Sequence, residues 1–396
     1  MDRFCWHQAA RVFDAKGSRV DALALGAAVI SERPSGVALA LALACGTAFR
    51  IGGDGRAPAQ GTVPMFETLT SGSSGSPRRI WRSQASWIRS FQVNAGLFGI
   101  GPDSKVAVLG RLVHSLSLYG ALEAVHLGGE LHLLDDLRPD RQRAALGMHR
   151  IGVLYATPAQ VRLLFEAGGS RLPELRLVLI GGSKLDIGLR ADLAKMAPFA
   201  RVREFYGAAE TSFISLARED SPQDSVGVPY PGVEIEVRAA DRLAGDEQAG
   251  EIWVRSPYLF DSYAGADPGN ALLADGWLSV GEIGYLKQGH LYLAGRAGRM
   301  VTIADQNVFP EEIEAFLATL AGVRRVAVLP RPDKLRGTVL IAVAMGDRTR
   351  HDEILHATRA RFGTLKAPRD IEWRTDWPML ASGKTDLACI ERELAK

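Results

Sequence analysis

Between residues 105 and 210 the chain alternates short apolar, β-rich runs with longer segments of mixed polarity. The runs cover 105–109, 130–134, 153–157, 175–180 and 201–206. A strand followed by a helix-length segment, repeated in this way, predicts an α/β domain with a mainly parallel sheet. After Gly227 the pattern changes. Strand-like 233–238 and 251–255 are punctuated by Gly and Pro, which predicts an antiparallel β region attached to the α/β core.

A last unit begins near 296–300. Pro310 followed by Glu311 and Glu312 marks a helix start, because proline suits the first helical position and carboxylates suit the positive end of the helix dipole. Ile313, Phe316, Leu317 and Leu320 then recur at i, i+3, i+4 and i+7, giving one buried face. Strand-like 325–329 and 338–345, a helical 353–362 and a strand near 371–374 complete a small α+β domain. The expected division is therefore a large N-terminal domain, 1–298, and a small mobile C-terminal α+β domain, 299–396.

Composition narrows the class. With 396 residues, 47% hydrophobic and 23% charged, the chain can bury a large core, which excludes disorder, collagen and a minimal disulfide scaffold. Single cores stop growing at roughly 250–300 residues, which favours two domains. Lys+Arg 47 against Asp+Glu 45 leaves a net charge of +2, so no global field points to nucleic acid or an anionic membrane. The apolar stretches 22–30 and 37–51 are each shorter than the roughly 20 residues that cross a bilayer, and no secretory signal pattern opens the chain. Cys5, Cys45 and Cys389 show neither zinc-ligand spacing nor a disulfide framework. A cytoplasmic protein is expected.

The densest local signal is Thr70, Ser71, Gly72, Ser73, Ser74, Gly75, Ser76 and Pro77, followed by Arg78 and Arg79. Glycines permit the φ values of a concave nest of N–H groups, and hydroxyls add donors, so the loop suits a polyphosphate. Apolar Pro64, Met65, Phe66, Ile80 and Trp81 flank it, which argues against a solvated linker. Two other nucleotide motifs fail. Pro378 stands where a Walker A loop around Lys384 needs glycine, and Ser104 stands where a dinucleotide fingerprint from Gly99 and Gly101 needs its third glycine.

The order TSGSSGSPRR, LIGGSKL (179–185), FYGAAET (205–211), GVPYPGVEIEV (227–237), GEIWVRSP (250–257), DGWLSVGEIG (275–284), GRAGRMV through PEEIE (295–314) and PMLASGKTD (378–386) resembles the adenylate-forming superfamily. That superfamily includes acyl-CoA and aryl-CoA synthetases, luciferases and peptide-synthetase adenylation domains. The resemblance runs from about residue 62 to the end and is fainter over 1–60. It implies a two-step reaction in which a carboxylate attacks the α-phosphate of ATP, giving acyl-AMP and pyrophosphate, and a thiol or amine then attacks the acyl carbon.

The resemblance also implies roles. The loop from Thr70 to Gly75 would hold the β- and γ-phosphates, and Glu210 would ligate Mg²⁺. Tyr206 would stack on adenine, while Gly181, Gly182 and Ser183 let the backbone approach the purine and the acyl group. Gly207 belongs to the same nucleotide site and, with His114, to the acyl pocket. Glu282 and Arg296 would bind the ribose hydroxyls. Lys384, on the mobile domain, would be catalytic with Glu210, bridging the attacking carboxylate and the α-phosphate as a point charge.

Some positions depart from the family pattern. Ala209 replaces the hydroxyl residue before Glu210, and Val280 opens the triplet that ends in Glu282. Arg299 takes the hinge position, where an exposed flexible residue would absorb domain rotation. Thr302 and Asp305 replace a lysine and a glycine, and Asp305 would crowd a pantetheine tunnel and charge it negatively. The phosphate loop lies unusually early, so a shortened N-terminal part is expected. It would leave apolar surface for a second copy of the chain, as a homodimer, or for an acyl carrier protein.

These features together predict ATP-dependent adenylation of a small aryl or acyl carboxylic acid, with transfer to a thiol of an acyl carrier protein or coenzyme A. The alternative is a degenerate nucleotide-binding homologue acting as a scaffold or regulator. The retained charged groups Glu210, Arg296 and Lys384 favour the enzyme.

Overall fold

The five apolar runs between 105 and 210 all become strands of one nine-stranded sheet. The computed structural model describes residues 2–53, 55–70, 78–239, 242–264, 271–303, 306–333, 337–380 and 384–394. Two compact units divide the chain: one holds 1–185, 189–235 and 254–278, the other 186–188, 236–253 and 279–396.

In the first unit Lys105–Val108, Glu130–Leu133, Val153–Ala156, Leu177–Ile180 and Arg201–Ala208 run parallel, as does Arg11–Phe13 beside Glu130–Leu133. Antiparallel strands close both edges, Ser212–Leu216 with Val228–Pro229 on one side and Arg19–Val20 on the other. Alternate residues of a strand point to opposite faces. Ala107, Leu154, Ala156, Val178 and Ile180 face a cluster supplied by helix residues Leu146, Val161, Leu164, Leu189 and Leu193. Their neighbours Val106, Val108, Leu131, Tyr155 and Leu179 are equally buried on the opposite side, where the helix Ser115–His126 packs. Covering both faces is why these strands read as continuous apolar runs.

Local sequence fixes the ends of two of these helices. Thr157 caps the helix Pro158–Glu166 with a reciprocal Gln160 bond, and Pro158 takes its first turn. Gly99 ends the helix Gln84–Phe98 in the left-handed conformation at φ 72°.

A second sheet in this unit orders Ser262–Tyr263, Arg79–Ser83, Met65–Leu69, Ala48–Ile51 and Val29–Ile30. The helix Ser35–Ala44 ends at Cys45 and leads into the strand Ala48–Ile51. That strand pairs on both sides, with Val29–Ile30 and with Met65–Leu69. The faintly matching N-terminal residues join the core. Phe4 and Phe66 rings lie 5.3 Å apart, and Phe66 and Trp87 4.6 Å.

Within the second unit, Glu282–Lys287 and His290–Arg296 form a hairpin, and Gly250 and Glu251 pair with Gly284 and Ile283. Val323–Asp333 pairs antiparallel with Gly337–Gly346, which runs parallel to Ile371–Trp373. One face of these strands, with Val328, Leu340 and Ala342, packs on Ile313, Leu317, Ile354 and Leu355 of the helices Pro310–Leu317 and His351–Lys366. The other face, with Ala327, Leu329 and Val343, meets Ile390 of the helix Leu387–Leu394. Among the described residues no helix is long and apolar enough to cross a membrane.

A polar network lies inside the first unit. Glu123 is fully buried, with Asn94 Nδ2 donating to its Oε1 at 2.8 Å and the Tyr155 hydroxyl donating to Oε2. Tyr230 donates to Asn94 Oδ1 at 2.7 Å, and the Tyr119 hydroxyl lies 2.8 Å from Ser90 Oγ. Burial pushes the Glu123 carboxyl up to about 7, against the lowering effect of the Tyr155 and Asn94 hydrogen bonds. A carboxyl raised above its unfolded value contributes stability that is complete below about pH 4.5 and is lost as pH rises to about 7. The loss is about 3 kcal/mol. Glu123→Gln removes the titrating group and keeps an acceptor for Asn94, with the Tyr155 hydroxyl turning to accept from the amide NH2, so urea midpoints of the variant should fall less between pH 5 and 8 than those of the wild type. Equal slopes would show that Glu123 does not titrate in this range.

Candidate active site

The strands ending at Val108, Ala156, Ile180 and Ala208 are neighbours in the sheet, so the loops that follow them emerge along one edge. In an open α/β sheet, ligands bind outside these carboxyl ends. Gly181, Gly182 and Ser183 follow Ile180 directly. A Cβ on Gly181 would lie 2.3 Å from the Phe205 ring, and Gly182 has φ +93°, so only glycine lets this loop approach the next strand. The loop is tied down by Glu204, whose buried carboxylate accepts from Leu185 N at 2.8 Å and pairs with Arg190 at 3.1 Å.

Tyr206 and Gly207 lie on that next strand, where the register slips between them in a bulge. A Cβ on Gly207 would fall 1.8 Å from the Ser212 carbonyl oxygen. The bulge leads into the turn that carries Glu210. Thr211, almost fully buried, accepts from Ala208 N at 3.0 Å, and Phe260 N donates to Glu210 O at 2.7 Å. The Tyr263 hydroxyl donates to Glu210 Oε1 at 2.9 Å. Burial, then the charge of Glu210, raises the Tyr263 phenol, so it stays protonated and a donor.

Among the described residues no group of three or more His, Cys, Asp or Glu side chains could hold a metal ion. Mg²⁺ needs no such group, since one or two carboxylates and substrate phosphates complete its shell. Glu210 supplies one hard carboxylate of that kind, and its Oε2 meets no donor among the described residues.

Thr70 begins the hydroxyl-rich loop. Its N donates to Arg78 O at 2.8 Å and its Oγ1 accepts from Arg78 N at 2.9 Å, which draws the loop's two ends together. Ser71, Gly72, Ser73, Ser74 and Gly75 lie outside the described residues. The strand entering the loop reaches across to the first sheet, where Leu69 N donates to Val113 O at 3.3 Å and Ser115 Oγ to Leu69 O at 3.1 Å. His114 sits at this bridge, at the N-terminus of the helix Ser115–His126. Its Nε2 is buried with no hydrogen-bond partner. Burial, and then the positive charge of Arg111, lowers its pKa and keeps the imidazole neutral. Thr70, His114, Gly181 to Ser183, Tyr206, Gly207 and Glu210 thus all belong to the first unit.

Glu282, Arg296 and Lys384 belong to the second. Glu282 and Arg296 are cross-strand partners, with Arg296 Nε donating to Glu282 Oε1 at 2.9 Å. At Lys384, Leu380 N donates to Lys384 O at 2.8 Å, and Met379 and Thr385 form an antiparallel bridge. Thr302 lies on a two-stranded hairpin opposite Asn307, and Asp305 lies outside the described residues. Arg299 differs from expectation. It is not an exposed pivot, because its guanidinium donates to both Glu314 oxygens at 2.8 and 3.1 Å, to Val328 O at 2.9 Å, and pairs with Glu311 at 3.3 Å.

Two residues of the site escape a reading of motifs. Arg82 has no exposed surface, and its Nη1 donates to Ala209 O at 2.6 Å while Nη2 donates to Tyr258 O. Tyr263 comes from a two-residue strand paired with Ile80 and Trp81. The one sequence signal for Arg82 is its spacing. It stands two residues after buried Ile80 on the same strand, and so on the inward face.

The AMP-binding enzyme family matches residues 22–264, and the AMP-binding enzyme C-terminal domain matches 312–384. A protein of Bacillus subtilis (strain 168) named uncharacterized acyl-CoA ligase YhfT is 32% identical over 341 residues, covering 84% of this chain and 69% of its own length. ATP-bound MatB from Rhodopseudomonas palustris shares the fold at TM-score 0.81 and 19% identity, over 97% of this chain and 95% of that one. The o-succinylbenzoate coenzyme A synthetase MenE from Bacillus subtilis, with ATP and a magnesium ion, does so at TM-score 0.71 and 22% identity, over 81% and 68%.

The glycine-floored geometry is testable. Gly207→Ala must push a carbonyl oxygen out of the bulge, and should lower unfolding stability by about 2 kcal/mol in urea titration. An unchanged midpoint would mean that the bulge yields freely.

Proposed function

The chain belongs to the AMP-binding enzymes of the adenylate-forming superfamily, AMP-forming acid–thiol ligases by class, and from that membership we propose that it adenylates a small aryl or acyl carboxylic acid. The resulting acyl group then passes to a thiol, of coenzyme A or of a phosphopantetheine arm on an acyl carrier protein. The observation that supports this best is the convergence of Gly181, Gly182, Tyr206, Gly207 and Glu210 at the carboxyl ends of adjoining parallel strands.

In this reading the bulge and glycine floor admit the adenine beside Tyr206, and the loop opened by Thr70 takes the terminal phosphates. Glu210 holds Mg²⁺, which when bound neutralises phosphate charge. His114, neutral and with Nε2 unpartnered, offers a polar atom to the acyl group without repelling or neutralising it. Glu282 accepts from ribose hydroxyls, and Arg296 fixes the direction of its carboxylate. Lys384 supplies the positive charge that the attacking carboxylate and α-phosphate need. Residues from 299 on, which carry Lys384, act as the mobile domain. Coenzyme A and a carrier protein present the same pantetheine thiol, so both are candidate acceptors.

ATP–pyrophosphate exchange with Mg²⁺ across benzoates, cinnamates, fatty acids and amino acids should give signal with one group of acids. Lys384→Ala should lower that exchange by about 10²–10³-fold while calorimetric ATP binding persists. Silence of the wild type across the panel, with its carrier or coenzyme A supplied and ATP bound, would replace the enzyme by a nucleotide-binding scaffold. Ala209, Val280, Thr302 and Asp305 would then mark lost chemistry.

A further inference from the structure

Glu210 lies on a turn whose backbone is held by Thr211 Oγ1, which accepts from Ala208 N, and by Phe260 N, which donates to Glu210 O. Two side chains from elsewhere in the same unit reach it. Arg82, buried without exposed surface, donates to the carbonyl of Ala209, the residue immediately before Glu210, at 2.6 Å, and to the carbonyl of Tyr258. Its Nε donates to Ser86 Oγ at 3.3 Å and its guanidinium carbon lies 5.4 Å from the Trp87 ring centroid, so both the fork and the flat face are held. One arginine therefore joins the turn of Glu210 to the segment that leads to Tyr263. Tyr263 in turn donates to Glu210 Oε1 at 2.9 Å. The guanidinium of Arg78, where the chain leaves the hydroxyl-rich loop, lies 5.9 Å from the Tyr263 ring centroid.

We propose that Arg82 and Tyr263 are positioning residues that aim the Glu210 carboxylate at a divalent cation, Arg82 by fixing the backbone and Tyr263 by occupying one oxygen. This rests on the reading of Glu210 as the cation's ligand. Burial draws the Arg82 guanidinium down to about 9, and Asp261 and Glu210 pull it back, so it is still a cation at neutral pH. It contributes positive charge behind the turn as well as geometry. Tyr263 leaves Oε2 to the cation, because a hydroxyl donor takes only one lone pair of the other oxygen. The Ala209 side chain is not needed for this arrangement, since it is the main-chain carbonyl of residue 209 that Arg82 grips.

The test separates metal-dependent from metal-independent nucleotide affinity. ATP binding to the full chain is measured by calorimetry with MgCl₂ and with EDTA, for the wild type, Tyr263→Phe and Arg82→Lys, and thermal melts follow the fold. The wild type should bind ATP more tightly with magnesium. Tyr263→Phe, which removes one hydroxyl, should cut that gain by about 5–10-fold and leave affinity in EDTA unchanged. Arg82→Lys keeps the charge but loses the fork, and should cut the gain further. If Arg82→Lys does not fold, Tyr263→Phe decides. A purely structural role would lower both affinities together. That result, an unchanged gain in both variants, or a wild type indifferent to magnesium overturns the proposal. A wild type with a magnesium-dependent gain but no ATP–pyrophosphate exchange overturns adenylation instead, and the ratio in the variants still judges Arg82 and Tyr263.

Discussion

A parallel sheet has to be covered on both faces, because its crossover segments lie on its faces and its strands are apolar throughout. Here that requirement fills both sides of Lys105–Val108, Val153–Ala156 and Leu177–Ile180 with helix residues. No room is left on the faces for a ligand. The strand ends are the part of the layer where backbone groups and loops can meet solvent, and all strands of a parallel run end on the same side. Gly181 belongs to one motif and Tyr206 and Glu210 to the next, yet they share an edge because adjacent parallel strands deliver them there. Glycine then becomes obligatory at two of these ends. The next strand is already in place, and a Cβ would strike Phe205 or the Ser212 carbonyl.

Elements whose burial is repeated along the sequence were legible. The five runs of the α/β layer and the helix at Pro310 follow from apolar spacing and from proline with carboxylates at a helix start. Boundaries moved where a partner strand extended or shortened a run. Arg201–Ala208 continues past Tyr206 because Ser212–Leu216 pairs beside it, and Ala48–Ile51 becomes a strand because neighbours pair with it on both sides. The motif residues were legible as chemistry and not as geometry. Nothing in the order of the motifs says that Glu282 meets Arg296, although their register across one hairpin makes them partners.

Arg82 shows what sequence spacing conceals. A buried charge costs several kcal/mol unless its donors are satisfied, so a fully buried arginine has to have been built around. Its acceptors are carbonyls 127 and 176 residues further along the chain. Carbonyls carry no side-chain identity, so no residue type at 209 or 258 betrays the contact. Period-two spacing from Ile80 gives the direction of the side chain, but only the assembled strands give its target.

Arg299 follows the same logic with a different consequence. Its guanidinium is held by both oxygens of Glu314, by Glu311 and by the Val328 carbonyl, and Glu314 Oε1 also accepts from Val328 N at 2.7 Å. Arginine, helix and strand form one hydrogen-bonded block. A rotation about the ψ of Arg299 would have to break charge-assisted bonds on a side chain only about one-fifth exposed. Gly298, one residue earlier, is exposed, and a Cβ there would meet nothing within 4 Å. Backbone change at that glycine leaves every bond of the block intact. The residue that stands at the hinge position by motif is therefore an anchor that ties the helix Pro310–Leu317 to the strand Val323–Asp333.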